Sequence, residues 1–145
     1  MTTPPFIINE EGVYFTVLMF EDYVVKIPRP DRINDVKELK FIAESQDFLS
    51  ENINGILPCW LIECCLIMPR AKGIRADKLS YDEKDHIQLL RNVILEQIEK
   101  LEYELIDCGS KNMFYDEGED QVYLIDFHAI KKMNKEEIPR TKCNN

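Results

Sequence analysis

Three oxygen-bearing side chains in the C-terminal half offer the chemistry of this sequence. The segment Leu105-Ile106-Asp107-Cys108-Gly109-Ser110-Lys111-Asn112 holds an Asp and an Asn with four residues between them. Further on, Ile125-Asp126-Phe127-His128 closes an apolar stretch with a second Asp. Carboxylates and carboxamides are ligands for hard divalent cations, Mg²⁺ among them, and a separate carboxylate can orient a hydroxyl and accept its proton. Phosphoryl transfer needs both, because cations must neutralise the phosphate oxygens while a base positions the nucleophile. The plain alternative is structural. Asp and Asn are common in helix-to-strand turns, and Asp126 is then a carboxylate at a strand end.

The elements that must hold these residues follow from the apolar pattern. Phe6 to Asn9, Val13 to Phe20 and Tyr23 to Ile27 are β-branched and aromatic, with Glu10-Glu11-Gly12 and Glu21-Asp22 as punctuation, and predict three strands. Pro28 and Pro30 end this sheet, and Asp31 is placed to cap a helix running to about Ser50. The apolar residues of that helix, among them Val36, Phe41 and Phe48, surround the wheel, so packing on more than one side is expected. Ile56 to Ile62 and Cys65 to Met68 predict two more strands, the first at an edge because of Pro58.

Ser80 with Glu83 forms a capping-box pattern. Behind it Ile87, Leu90, Ile94, Ile98 and Leu101 recur at helical spacing and predict a long amphipathic helix. Met113 to Tyr115 and Gln121 to Phe127 bracket a polar turn and predict a hairpin. The order is an α+β pattern, without internal repeat or linker, in a length that holds one domain.

The layout of a helix, Asp-x₄-Asn, a hairpin and a closing Asp-Phe resembles the catalytic and metal-binding loops of the protein-kinase superfamily. The resemblance implies that Asp107 is the catalytic-loop Asp, Asn112 the metal-binding Asn and Asp126 the Asp of Asp-Phe-Gly. Lys111 stands where many tyrosine kinases place an Arg. Tyr23-Val24-Val25-Lys26-Ile27 is similar to the third-strand Val-Ala-Ile-Lys, which makes Lys26 the phosphate-gripping lysine. A solvated lysine on the polar side of an edge strand is the plain alternative. Glu44 lies at the family's usual remove from that lysine and is favoured as its partner over the nearer Glu38. Cys65 to Gly73 is similar to a fifth strand and hinge, with Met68 as gatekeeper and the Ala71 N–H as a donor to adenine. The resemblance covers about residues 10 to 130. It implies ATP and Mg²⁺ or Mn²⁺ as cofactors, and residues 6–68 as a smaller lobe followed by a reduced larger lobe over 69–145.

The pattern also departs from the family. Glu10-Glu11-Gly12 leaves the phosphate-covering loop with one glycine and two carboxylates, Leu105 and Ile106 replace the His and Arg before the Asp, and His128 replaces the Gly. The stretch from Ala129 to Asn145 is too short for an activation segment and the usual later helices. Truncated kinases of bacterial effectors and phages are similar in this respect. Without those helices, Leu89, Val93 and Leu95 give the long helix apolar directions that a homodimer or a protein partner is expected to cover.

Composition narrows the remaining classes. A formal charge of −9 argues against nucleic acid or anionic membrane as the main partner. No apolar run reaches the length of a membrane span, and Met1 to Asn9 has no basic stretch followed by an apolar one, so a cytoplasmic location is expected. The five cysteines form no Cys-x-x-Cys pair and are expected to be reduced packing residues. The sequence thus leads to a minimal ATP-dependent phosphotransferase acting on a protein, with a pseudokinase-like binding module as the alternative.

Overall fold

The computed structural model describes residues 6–10, 12–106 and 109–133, and these fall into two compact units. The first comprises Met1–Phe48 and Pro58–Arg70, the second Leu49–Leu57 and Ala71–Asn145. Leu49–Leu57 therefore belongs to the second unit, although it lies inside the stretch expected to form the smaller lobe.

In the first unit, β1 (Ile7–Asn9), β2 (Phe15–Met19), β3 (Tyr23–Pro28), β4 (Trp60–Ile62) and β5 (Cys65–Pro69) form one antiparallel sheet in the order β1-β2-β3-β5-β4. The β2–β3 turn is closed by the Phe20 N–H on the Tyr23 carbonyl at 2.9 Å, and the two rings stack with centroids 4.5 Å apart. Glu63 and Cys64 adopt φ of 48° and 67°, the conformation a two-residue hairpin loop needs to match the strand twist. β4 is an edge strand and leaves out Pro58, which cannot donate to a ladder.

The helix α1 (Val36–Asn52) starts later than Asp31 would have it. Asp35 is the capping residue, its Oδ1 accepting the Lys37 N–H at 2.9 Å, which satisfies a donor the first helical turn leaves over. Leu39, Ile42, Ala43, Leu49 and the polar Ser45 and Gln46 are buried, whereas Val36, Phe41 and Phe48 are exposed. Burial is thus confined to one side of the helix, contrary to the expectation from the wheel.

The second unit is built on α2 (Tyr81–Lys100), whose buried face is Ile87, Arg91, Ile94, Leu95 and Ile98. Ser80 Oγ donates to Glu83 Oε1 at 2.9 Å, but Ser80 makes no side-chain bond to the helix backbone, so the capping box is formed only between its side chains. Leu95 packs in the core, while Leu89 and Val93 are 66% and 54% exposed. No helix among the described residues is long and apolar enough to cross a membrane.

Beside α2, β6 (Ile74–Arg75), β8 (Met113–Asp116) and β9 (Gln121–Leu124) form a three-stranded antiparallel sheet, and β7 (Tyr103–Leu105) pairs with β10 (Ile130–Lys132). The sequence pattern missed β6, β7 and β10 because two or three residues carry no readable alternation. Two glycines permit close approach. A Cβ on Gly73, at φ 97°, would lie 2.0 Å from the Tyr115 carbonyl oxygen, and one on Gly55, at φ 99°, 2.5 Å from that of Val122. The Leu124 N–H donates to the Gly55 carbonyl at 2.9 Å, which adds the 55–56 backbone to the edge of β9.

Candidate functional site

In the first unit the residues of interest surround Lys26. β3 is a central strand, and Lys26 sits opposite Val17 of β2 and Leu66 of β5. The residue is only 6% exposed, and its Nζ lies 5.8 Å from the centroid of the Phe15 ring. The surface lysine of an edge strand is therefore not what the fold contains. Burying an ammonium is unfavourable unless other groups compensate it, so a buried lysine marks a site that uses its charge.

Glu44 is not that compensation. Its side chain is 67% exposed and pairs with Lys40 at 3.9 Å, one turn away along the outer face of α1. Glu38 is exposed as well. The expected Lys26–Glu44 pair is thus corrected, because the helical phase turns Ser45 and Gln46 inward and both glutamates outward. Gln46 Nε2 donates to the Sδ of Met68, the proposed gatekeeper, at 3.7 Å, and both residues are buried.

Cys59 is buried in the same neighbourhood. Burial pushes its thiol up to about 11, with Lys26 opposing the shift and Asp47 adding to it. Asp47, one turn beyond Glu44, is therefore an α1 carboxylate whose field meets that of Lys26 at Cys59. Spacing alone could not single it out, since the choice between Glu44 and Asp47 depends on where the helix begins. Pro69 pairs with Tyr23 at the end of β5, and Ala71 is half-buried at the start of the second unit.

In the second unit the β8–β9 hairpin organises the acidic end. Its ladder pairs Met113 with Leu124, and one step further the Ile125 N–H donates to the Asn112 carbonyl at 3.0 Å. Asn112 and Asp126 are thereby set at one end of one hairpin. The backbone before Asn112 is a single 3₁₀ turn, Ser110–Asn112, closed by the Asn112 N–H on the Gly109 carbonyl at 2.9 Å. Lys111 is the exposed residue of that turn. Asp107 lies outside the described residues.

Asp126 is held from its own strand end. Its Oδ1 accepts the His128 N–H at 3.0 Å and lies 2.7 Å from His128 Nδ1, with the two side chains 22% and 10% exposed. Next to the carboxylate, Nδ1 is the ring nitrogen that carries the proton in this contact. Phe127 between them is fully buried and anchors the segment. Among the described residues, no group of three or more His, Cys, Asp or Glu side chains converges as a metal centre. A carboxylate beside a carboxamide is nevertheless a set that suits Mg²⁺, which keeps water and phosphate oxygens in its other positions.

A second polar constellation occupies the other end of the hairpin. Tyr115 Oη donates to Asp120 Oδ1 at 2.6 Å, and His86 Nε2 of α2 lies 2.7 Å from the same oxygen. These bonds, Tyr115 first, hold the Asp120 carboxyl below its ordinary range, and the same hydrogen bond pushes Tyr115 up to about 12.

No protein-family model matches this chain, and no curated protein matches it in sequence. Among solved structures, the co-crystal structure of WbdD and the kinase inhibitor LY294002 is similar, with a TM-score of 0.56 and 18% identity over 87% of this chain. The match takes in 33% of that chain, so the present sequence spans about a third of its length. At that identity the likeness is one of fold, and the chain has the kinase-like α+β architecture, with an antiparallel sheet and two helices, that its sequence led one to expect.

Proposed function

We propose that this chain is a minimal ATP-dependent kinase-like phosphotransferase acting on a protein. One observation carries the reading: the β8–β9 hairpin brings Asn112 and Asp126 to the same end through the Ile125–Asn112 backbone bond. Chance Asp and Asn residues of separate turns have no reason to meet in register. The buried Lys26 supports the same reading, since its charge suits the α- and β-phosphates of a nucleotide.

In this reading Asn112 and Asp126 hold Mg²⁺ or Mn²⁺, which when bound neutralises charge on the phosphate oxygens. Lys26 binds and orients the phosphates, while Met68 and Ala71 border the base. Asp107 orients the substrate hydroxyl and accepts its proton as the hydroxyl oxygen bonds to the γ-phosphorus. The bond from that phosphorus to the bridging oxygen breaks, and ADP leaves with the electron pair. Lys111, exposed in the loop between Asp107 and Asn112, balances negative charge on the transferred group.

One observation favours a second reading, a pseudokinase-like module that binds a partner without catalysis. The Lys26–Glu44 pair is not formed, and a phosphotransferase uses such a pair to hold its lysine in place. The exposed Leu89 and Val93 also suit a protein partner or a homodimer. The net charge disfavours nucleic acid and anionic membrane in either reading.

Thermal unfolding with Mg²⁺–ATP or Mn²⁺–ATP tests the proposal, because a ligand of the native state raises its stability. A rise in melting temperature together with release or transfer of the γ-phosphate is expected. A rise without turnover selects the binding module, and no rise removes both nucleotide readings.

A further inference from the structure

The loop joining β1 to β2 is poor in glycine, and the structure holds it in another way. Arg29, next after β3, donates from Nε to the Gly12 carbonyl at 3.0 Å and from Nη2 to the Glu10 carbonyl at 2.8 Å. Its own N–H donates to the Tyr14 carbonyl at 2.9 Å. One residue therefore grips the loop at three points. The guanidinium fork makes this possible, because its fixed planar donors reach two carbonyls at once, as an ammonium on a single flexible stem does not.

The grip fixes the direction of the peptide groups. Across a trans peptide the carbonyl and the next N–H point in opposite directions, and the described residues contain no cis bond. With the Gly12 carbonyl on Arg29, the N–H of Val13 is turned away from the guanidinium. Gly12 permits the tight path, since a Cβ there would meet the Phe15 carbonyl oxygen at 2.9 Å. The positive charge of Arg29 also stands beside the loop that carries Glu10, where it offsets a carboxylate that would repel an anion.

We propose that Arg29 is a positioning residue that presets the β1–β2 loop to receive the phosphates of a bound nucleotide, an inference that rests on the nucleotide-binding reading above. A loop set in advance loses less conformational entropy when a ligand arrives. Arg29 thus takes over from the missing glycines: rigidity held by hydrogen bonds replaces a flexible loop that closes.

The test compares wild type, Arg29→Ala and Arg29→Lys by calorimetry with Mg²⁺–ATP and with adenosine, and by amide exchange of residues 12–15 without ligand. Loss of two charge-assisted bonds weakens Mg²⁺–ATP by about tenfold. Adenosine, which has no phosphate, changes by less than about twofold on the same scale. Exchange at the loop quickens in Arg29→Ala, and Arg29→Lys, with charge but no fork, recovers only part of the ATP affinity. Should Arg29→Ala fail to fold, Arg29→Lys and Arg29→Gln carry the same comparison. Unchanged ATP affinity, or an equal loss for ATP and adenosine, overturns the proposal while wild-type binding leaves the nucleotide reading standing. A wild type that binds neither ligand removes that reading and the role of Arg29 with it.

Discussion

His128 binds one oxygen of Asp126 twice, through its backbone N–H at 3.0 Å and through ring Nδ1 at 2.7 Å. The residue that stands where kinases have glycine is therefore a bracket for the carboxylate. Asp126→Asn removes a charged oxygen ligand and should weaken Mg²⁺–ATP binding by more than about tenfold. His128→Ala leaves the ligand but frees its orientation, and a loss of about tenfold is expected, with Gln restoring part of it. Isothermal titration with Mg²⁺–ATP measures both. Wild-type affinity in Asp126→Asn would show that this carboxylate holds no metal.

Lys26→Met keeps the apolar stem and deletes the charge. Because the ammonium is buried, the variant should melt at or above the wild-type temperature while binding Mg²⁺–ATP at least about tenfold more weakly. Melting curves and titration together separate the two effects. A variant that melts much lower yet binds normally would make Lys26 a structural residue.

The thiols should divide by environment. With its thiol near 11, Cys59 is about one part in a thousand thiolate at pH 8, and it is buried as well. Cys64 is exposed on the β4–β5 turn. Brief labelling with a maleimide followed by peptide mass spectrometry should find Cys64 modified and Cys59 protected until denaturant is added. Rapid native labelling of Cys59 would contradict the packing around Lys26.

The Tyr115–Asp120–His86 cluster should shape the pH dependence of stability. Asp120 is held below its ordinary value, so its contribution is present above about pH 4 and fades as the pH falls through the folded value. Tyr115 is raised from 10.0 to about 12, so its contribution is present below pH 10 and is lost as the pH rises toward 12. Tyr115→Phe should flatten both flanks of the urea midpoint relative to wild type. Parallel profiles for the two proteins would show that the hydrogen bond has no energetic weight.

The parts of this molecule that repeat were legible in its sequence, and the parts set by phase were not. α2 announces itself through Ile87, Ile94 and Ile98, and the hairpin through apolar runs around a polar turn. The Asn112–Asp126 relationship follows from that hairpin, so two site residues came with the topology. Glu44 failed because α1 starts at Val36, where Asp35 caps it, and helical phase then points that glutamate outward. The hydrogen bonds of Arg29 left no trace in the sequence, since they join an ordinary arginine to backbone carbonyls.

The two units are interleaved along the chain, with Leu49–Leu57 assigned to the second and flanked on both sides by the first. No single cut separates them. A fragment ending at Arg70 would carry Ile53 and Ile56, both buried in the whole chain, without β9. A fragment starting at Ala71 would leave the Leu124 amide without the Gly55 carbonyl. Neither piece should be expressed alone as a well-behaved protein, so binding and activity have to be assigned by point substitution in the intact chain. During synthesis on the ribosome the same interleaving means that residues 49–57 emerge early and wait for residues 121–124, an exposed apolar segment for that interval and a natural client for a chaperone.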